Sequence, residues 1–246
     1  MSGLVAVYRR ELAAYFQTLL AWVFLTVFAF AAPSFAWRAG RFFDTGRADL
    51  APLFDFFPWL LLVLMPALAM RAWAEERDRG TLEMLLASPI PLWAAAAGKF
   101  LAAWTIAGLA LALTFPMWIA VNYLGAPDNA ATATAYIGAV LLAGGYLAIG
   151  QALSAATSNQ VIAFVLGAAA CVLVTVAGLP MVVDALTDQV PAAAVEALAE
   201  LSALARFDSL RRGVVGLPDL VYFASLIGAG LLAAILLIDG RRGVGR

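Results

Sequence analysis

Long apolar stretches alternate with short charged ones along the chain. Six apolar segments reach the length of about 20 residues that a helix needs to cross a hydrocarbon core, at roughly 16–37, 54–70, 94–121, 136–153, 161–179 and 220–238. Inside a bilayer the backbone has no water to bond, so such segments fold as helices that satisfy their own N–H and C=O groups. The pattern therefore predicts an all-α integral membrane protein with six spans, arranged as a single domain over residues 1–246. Arg9 and Arg10 before an apolar core, with Ala29-Phe30-Ala31 beyond it, also resemble a secretory leader. The apolar run continues through Phe35 and Trp37, past the small residues, which favours a span. Trp37, Trp59, Trp73, Trp93 and Tyr136 stand at span ends and predict interfacial aromatic belts.

Six spans put both termini on one side. Nine basic residues, in the N-terminus, the second loop and the C-terminus, then share a side, against six on the other, at Arg38, Arg41, Arg47, Arg206, Arg211 and Arg212. The positive-inside rule makes the first side cytoplasmic. The second loop, from Arg71 to Trp93, carries eight of the 31 charges when Lys99 is included. The fifth loop, 180–219, is long and half apolar. From Pro191 it places Ala194, Val195, Ala197, Leu198, Leu201 and Leu204 on one side and Glu196 and Glu200 on the other, which predicts an amphipathic helix over 191–205 at the outer interface. A gate over a transport path and a packed cap both fit that helix.

Composition narrows the chemistry. Hydrophobic residues make up 64% and charged ones 13% of the chain, with a mean hydropathy of +0.93, unlike any soluble domain. Net charge is −1, so there is no basic face for nucleic acid. With no histidine and the single Cys171 in an apolar run, the common metal sites, disulfide frameworks and imidazole catalysis are excluded. Arg supplies 14 of the 15 basic residues, which with the Ala-rich spans hints at a GC-rich bacterial genome. Asp55, Lys99, Asp219 and Asp239 fall at span ends, where carboxylates stay wet and lysine snorkels, so no mid-span ion site is expected. Gly98-Lys99 is no phosphate-binding loop, because Trp93 and Phe100 occupy positions that need Gly and Ser or Thr. Gly144, Ala148, Ala152 and Ala156 form a stripe of small residues on which a second helix can pack closely, although Ala is frequent enough to make such a stripe by chance.

The charged stretch from Arg71 to Pro91 reads as two elements. The second span continues as a charged helix that Gly80 ends through a positive φ. Thr81 then serves as N-cap of a short helix, with Glu83 in its first turn and Leu82, Leu85 and Leu86 on one side, stopped by Ser88-Pro89. Such a helix suits a socket on a soluble partner, or simply reverses the chain. If it docks, the three leucines act as apolar anchors and Glu75, Glu76, Arg77, Arg79 and Glu83 form a charged rim.

The run Glu75-Glu76-Arg77-Asp78-Arg79-Gly80-Thr81-Leu82-Glu83-Met84-Leu85-Leu86, followed by Ser88-Pro89-Ile90, resembles the E-E-R-x-x-G-T-x-E-x-L-L-x-x-P signature of ABC-2 type exporter permeases. Phe56-Phe57-Pro58-Trp59, Gly98-Lys99-Phe100, Tyr146 to Gly150, Ser158 to Phe164 and Phe207 to Val214 extend the likeness, most of all to the gliding-motility-associated (GldF-like) permeases. The resemblance implies six transmembrane helices of the ABC-2 exporter (type V ABC) architecture, a coupling helix over about 81–87, and outer interfacial helices over about 180–218. It also implies a second permease copy or a related permease, and a separate ATP-binding cassette subunit touching Glu75, Glu76, Arg77, Arg79, Gly80, Thr81, Leu82, Glu83, Leu85 and Leu86. ATP and Mg are then bound by that partner, and this chain holds no cofactor and catalyses nothing. The expected setting is the bacterial inner membrane, with a periplasmic or membrane accessory protein as a further partner. A membrane platform for an ATPase and a secondary carrier are the alternatives.

Overall fold

A computed structural model describes residues 3–40, 49–187 and 200–242. Among them the regular structure is entirely α-helical: α1 Gly3–Gln17, α2 Leu19–Arg38, α3 Ala51–Ala69, α4 Arg71–Asp78, α5 Leu82–Ala87, α6 Leu92–Ala112, α7 Phe115–Leu124, α8 Asn129–Ala156, α9 Gln160–Val176, α10 Pro180–Thr187, α11 Ala203–Arg211 and α12 Leu217–Arg242. Five stretches are long and apolar enough to cross a membrane: Leu19–Arg38, Ala51–Asp78, Leu92–Leu124, Asn129–Ala156 and Leu217–Gly240. The sixth expected span, 161–179, corresponds to the shorter helix Gln160–Val176. The chain is thus an all-helical membrane protein with five candidate spans.

Local chemistry fixes the boundaries. Asp128 accepts from the N–H groups of Ala130 and Ala131, both at 3.0 Å, and starts α8; Asn159 does the same for α9 through Val161 and Ile162. The expected span 94–121 is two helices, because the chain breaks at Leu113-Thr114 ahead of Pro116. There Thr114 Oγ1 donates to Leu111 O at 2.6 Å and shares a 2.8 Å bond with Tyr136 Oη.

α8 is the central helix, packed by α3, α4, α6, α9, α11 and α12. Its small-residue stripe does receive a partner: a Cβ on Gly230 of α12 would stand 2.7–2.8 Å from Ala148, so only glycine permits that approach. Trp73 and Tyr136, expected in an interfacial belt, instead lie in the interior at 0% and 6% exposure, whereas Trp37, Trp59 and Trp93 are exposed. Tyr136 is enclosed by Phe54, Phe57, Phe115 and Trp118.

Two ends of the bundle can be distinguished. One gathers α1, α4, α5, the start of α6 and the last turn of α8, and Ile238 near the end of α12 joins Trp73, Leu85 and Ala155 there. At the other, the start of α8 meets α11, and Arg211 of α11 pairs with Asp55 at the start of α3. α11 begins deep in the fold, where buried Ser202 donates to Thr175 O at 3.2 Å and accepts from Ala205 N–H. The helix expected over 191–205 is therefore interrupted at Ser202, and Leu201 beside the break is 58% exposed. Val195 and Leu198 lie outside the described residues.

Candidate functional site

α4 leaves the membrane-side helix α3 at Met70 and ends in a tight turn. Gly80 N–H donates to Arg77 O at 3.2 Å and Thr81 N–H to Glu76 O at 2.8 Å, the paired bonds of a Schellman motif. Gly80 carries φ +69°, as the sequence requires. Thr81 holds the N-cap position expected of it, its C=O accepting from Leu85 N–H at 3.1 Å, but its side chain caps no N–H of α5: the backbone is helical and the hydroxyl turns back to Glu76 O at 3.2 Å, helping to close α4. α5 ends where Ser88 adopts an extended backbone ahead of Pro89, with Ser88 Oγ donating to Leu85 O at 2.6 Å.

The leucine face of α5 points into the protein. Leu85 is 8% exposed and packs in a cluster with Ala72, Trp73, Ala95 and Ala96, joined by Leu82 and Leu86. Leu85 thus anchors the helix to its own bundle, with Leu82 and Leu86 partly buried beside it. What faces outward is Thr81, Glu83, Met84 and Ala87, with Met84 75% exposed. Met84 was not singled out by sequence; placing the leucines inward on a helical wheel would have found it.

Arg71, Glu75, Glu76 and Arg77 of α4 are similarly tied inward. Glu75 pairs with Arg71 and, at 2.7 Å, with the exposed Arg79. Glu76 accepts from Lys99 Nζ at 2.7 Å and from Arg10 at 3.1 Å. Glu11 of α1 accepts from the same two cations, at 3.1 and 2.7 Å. Arg77 donates to Ala155 O at 2.8 Å, reaching the carbonyl end of α8. Lys99 is thus no solvated span terminus: at 3% exposure it sits between two carboxylates, 5.3 Å from the Trp73 ring centre. A buried ammonium without partners would be strongly disfavoured, and Glu11 and Glu76 are what make it tolerable. Asp219 also departs from expectation, being 5% exposed and bonded to Arg206 at 3.4 Å. Burial opposes ionisation of Glu11, but Lys99 and Arg10 outweigh it and hold its carboxyl below the usual range.

α1 was not anticipated. It precedes the first apolar run as a weakly amphipathic helix, lies along α6 and brings Arg10, Glu11 and Tyr15 to the charged segment. A cavity of about 570 Å³ opens between α1, α4 and α5, lined among others by Arg10, Tyr15, Arg71, Glu75 and Met84. A second cavity of about 570 Å³ lies at the opposite end, walled by Phe54, Phe56, Trp59 and Phe207 beside the Asp55–Arg211–Asp208 ion pairs. Among the described residues no group of three or more acidic, Cys or His side chains is placed to hold a metal ion.

The arrangement is a short helix clamped to the end of a membrane bundle, with an outward face of Thr81, Glu83, Met84 and Ala87. A family model described as ABC-2 family transporter protein matches residues 48–238, and no curated protein matches the chain. The chain belongs to the ABC-2 transporter family and is a membrane component of such a transporter, a family whose membrane subunits work with an ATPase partner.

Proposed function

We propose that this chain is the membrane-spanning permease subunit of an ATP-driven exporter, closest in kind to the gliding-motility-associated permeases. A separate ATP-binding cassette subunit seats on the α4–α5 turn, and a second permease copy or a related permease completes the membrane unit. α9 together with the outer segment makes the sixth crossing, both termini are cytoplasmic, and the membrane is the bacterial inner one. The observation that carries this reading is the outward face of α5. Glu83 and Met84 project from a helix that Leu85 and the Gly80 turn hold rigidly on the bundle. A partner pushing on that face displaces α4 and the start of α6 together, because Lys99 joins Glu76 of one to α6. Glu75, Glu76 and Arg77 then act behind the contact, as the frame that orients it, while Arg79, Gly80, Thr81 and Glu83 border it.

Burying the Met84 side chain in a partner contributes about 1.5–3 kcal/mol, roughly a ten- to hundredfold affinity difference. Met84→Asp should therefore leave the permease folded in the membrane while the cassette subunit no longer co-purifies. Retention of the cassette at wild-type level by Met84→Asp would remove the docking assignment. Stimulation of ATP hydrolysis by an added amphiphile in vesicles containing both subunits would separate a transporter from a platform that merely recruits the ATPase.

A further inference from the structure

α3 and α4 come close to being one helix, since the apolar stretch Ala51–Asp78 is interrupted only at Met70. Facing the interruption is Ser154 of α8, which is fully buried. In a continuous helix the N–H groups of Trp73 and Ala74 point at the carbonyls of Ala69 and Met70. Here they donate to Ser154 Oγ, at 3.1 and 3.0 Å, and the same hydroxyl donates to Met70 O at 2.7 Å. The one O–H and both lone pairs of the serine are thereby used. From the other side Tyr15 Oη donates to Leu68 O at 3.0 Å. A foreign side chain standing in the hydrogen-bond ladder is a sufficient cause of a helix bend.

The exchange is balanced, which makes the joint two-state. If the helix straightened, the two amides would return to Ala69 and Met70 carbonyls, and Ser154 could back-bond to the carbonyl four residues before it in α8. Three bonds are made in either arrangement, so neither carries the penalty of an outright loss of buried hydrogen bonds. Farther along α4, the Arg77 bond to Ala155 O ties the same two helices a second time.

We propose that Ser154 is a positioning residue that holds the α3–α4 joint bent and fastens α4 to α8, so that a displacement of α5 reaches the central helix. The transmission clause rests on the docking role given to α5; the bend itself does not.

The test uses the full chain in lipid nanodiscs with Cys171→Ala, spin-labelled at Asp78→Cys on α4 and Tyr123→Cys at the opposite end, both exposed positions. The parent and Ser154→Thr, which keeps the hydroxyl, should give one common distance by pulsed electron resonance. Ser154→Ala should add a second, distinct distance. Placing Ala74→Pro in the Ser154→Ala chain should abolish that second distance, because proline cannot make the straight rung and its ring excludes the carbonyl four residues back. An unchanged distribution in Ser154→Ala overturns the proposal. If Ser154→Ala does not insert, Ala74→Pro alone decides, since the native distance supports a bend already present at that level and a displaced one overturns it. These readouts need no partner. A failed Met84→Asp experiment therefore sinks the docking reading alone, and an unchanged Ser154→Ala distance sinks the joint alone.

Discussion

Lys99 shows how a charge at the edge of a span can be structural. Its ammonium crosslinks α6 to α1 through Glu11 and to α4 through Glu76, and Arg10 doubles both links. Removing the buried Lys99 leaves two carboxylates to the exposed Arg10, so neutralising it should cost more than neutralising the exposed Arg79 that pairs with Glu75. The pH dependence follows from Glu11, whose carboxyl titrates below its ordinary value of 4.5 in the folded protein. Between the folded value and 4.5 the unfolded chain binds more protons than the folded one, so stability rises with pH through that window. The contribution is complete above about pH 4.5 and is lost as pH falls through the folded value. Thermal melts in detergent should therefore show the wild-type midpoint falling more steeply below pH 4.5 than that of Glu11→Gln; parallel curves would mean that the pair contributes nothing to folding. Leu85→Asp belongs to the same scale but reports on folding, because it places a carboxylate in the cluster around Trp73.

At the scale of elements, the turn between α4 and α5 is where sequence and structure agree most closely. Gly80 has nothing within 4 Å of where its Cβ would stand, so a side chain there meets no obstacle and pays only for the backbone at φ +69°. That penalty is about 1–2 kcal/mol for an ordinary L-residue and smaller for asparagine. Gly80→Val should leave the cassette subunit bound while its ATPase activity in vesicles no longer responds to transport, and Gly80→Asn should behave nearly as wild type. Loss of binding in both variants would assign Gly80 to the contact surface instead. The turn, the short helix and its stop at Ser88-Pro89 were legible because each depends on residues adjacent in sequence. The direction of the leucine face was not. Periodicity reports that Leu82, Leu85 and Leu86 share a side, but only the position of Trp73 and Ala95 decides that this side faces home. α1 escaped for a related reason: its stabilising partners, Lys99 and Leu68, lie 88 and 53 residues away, and its own apolar pattern is weak. Thr81 takes the N-cap position read from the sequence, but the same threonine can bond forward or back, and here its hydroxyl goes back to Glu76 O instead of capping α5.

Over the whole molecule, the two ends of the bundle carry different chemistry, and this bears on how often the chain crosses the membrane. α1, α4, α5 and the end of α12 lie together at one end of the bundle, which supports the even number of crossings in the proposed six-span reading. In that reading α9 supplies the crossing beyond the five candidate spans, and it is the only other helix of more than 15 residues among those described. Its 17 residues extend roughly 25 Å, somewhat short of a hydrocarbon core of about 30 Å. At the end of α9, buried Ser202 bonds to Thr175 O, and from there α11 leads back toward the start of α8, with Gly213 against Ala131. The last carbonyls of a helix have no partner within it, and Ser202, just ahead of α11, satisfies one of those of α9. Single cysteines in a Cys171→Ala chain test this arrangement. Asn122→Cys and Val215→Cys should react with a membrane-impermeant maleimide on intact cells, and Ala87→Cys and Ser158→Cys only after permeabilisation. If Ser158→Cys and Val215→Cys label from the same side, α9 does not cross, and the pairing of α12 with the α5 end must be redrawn.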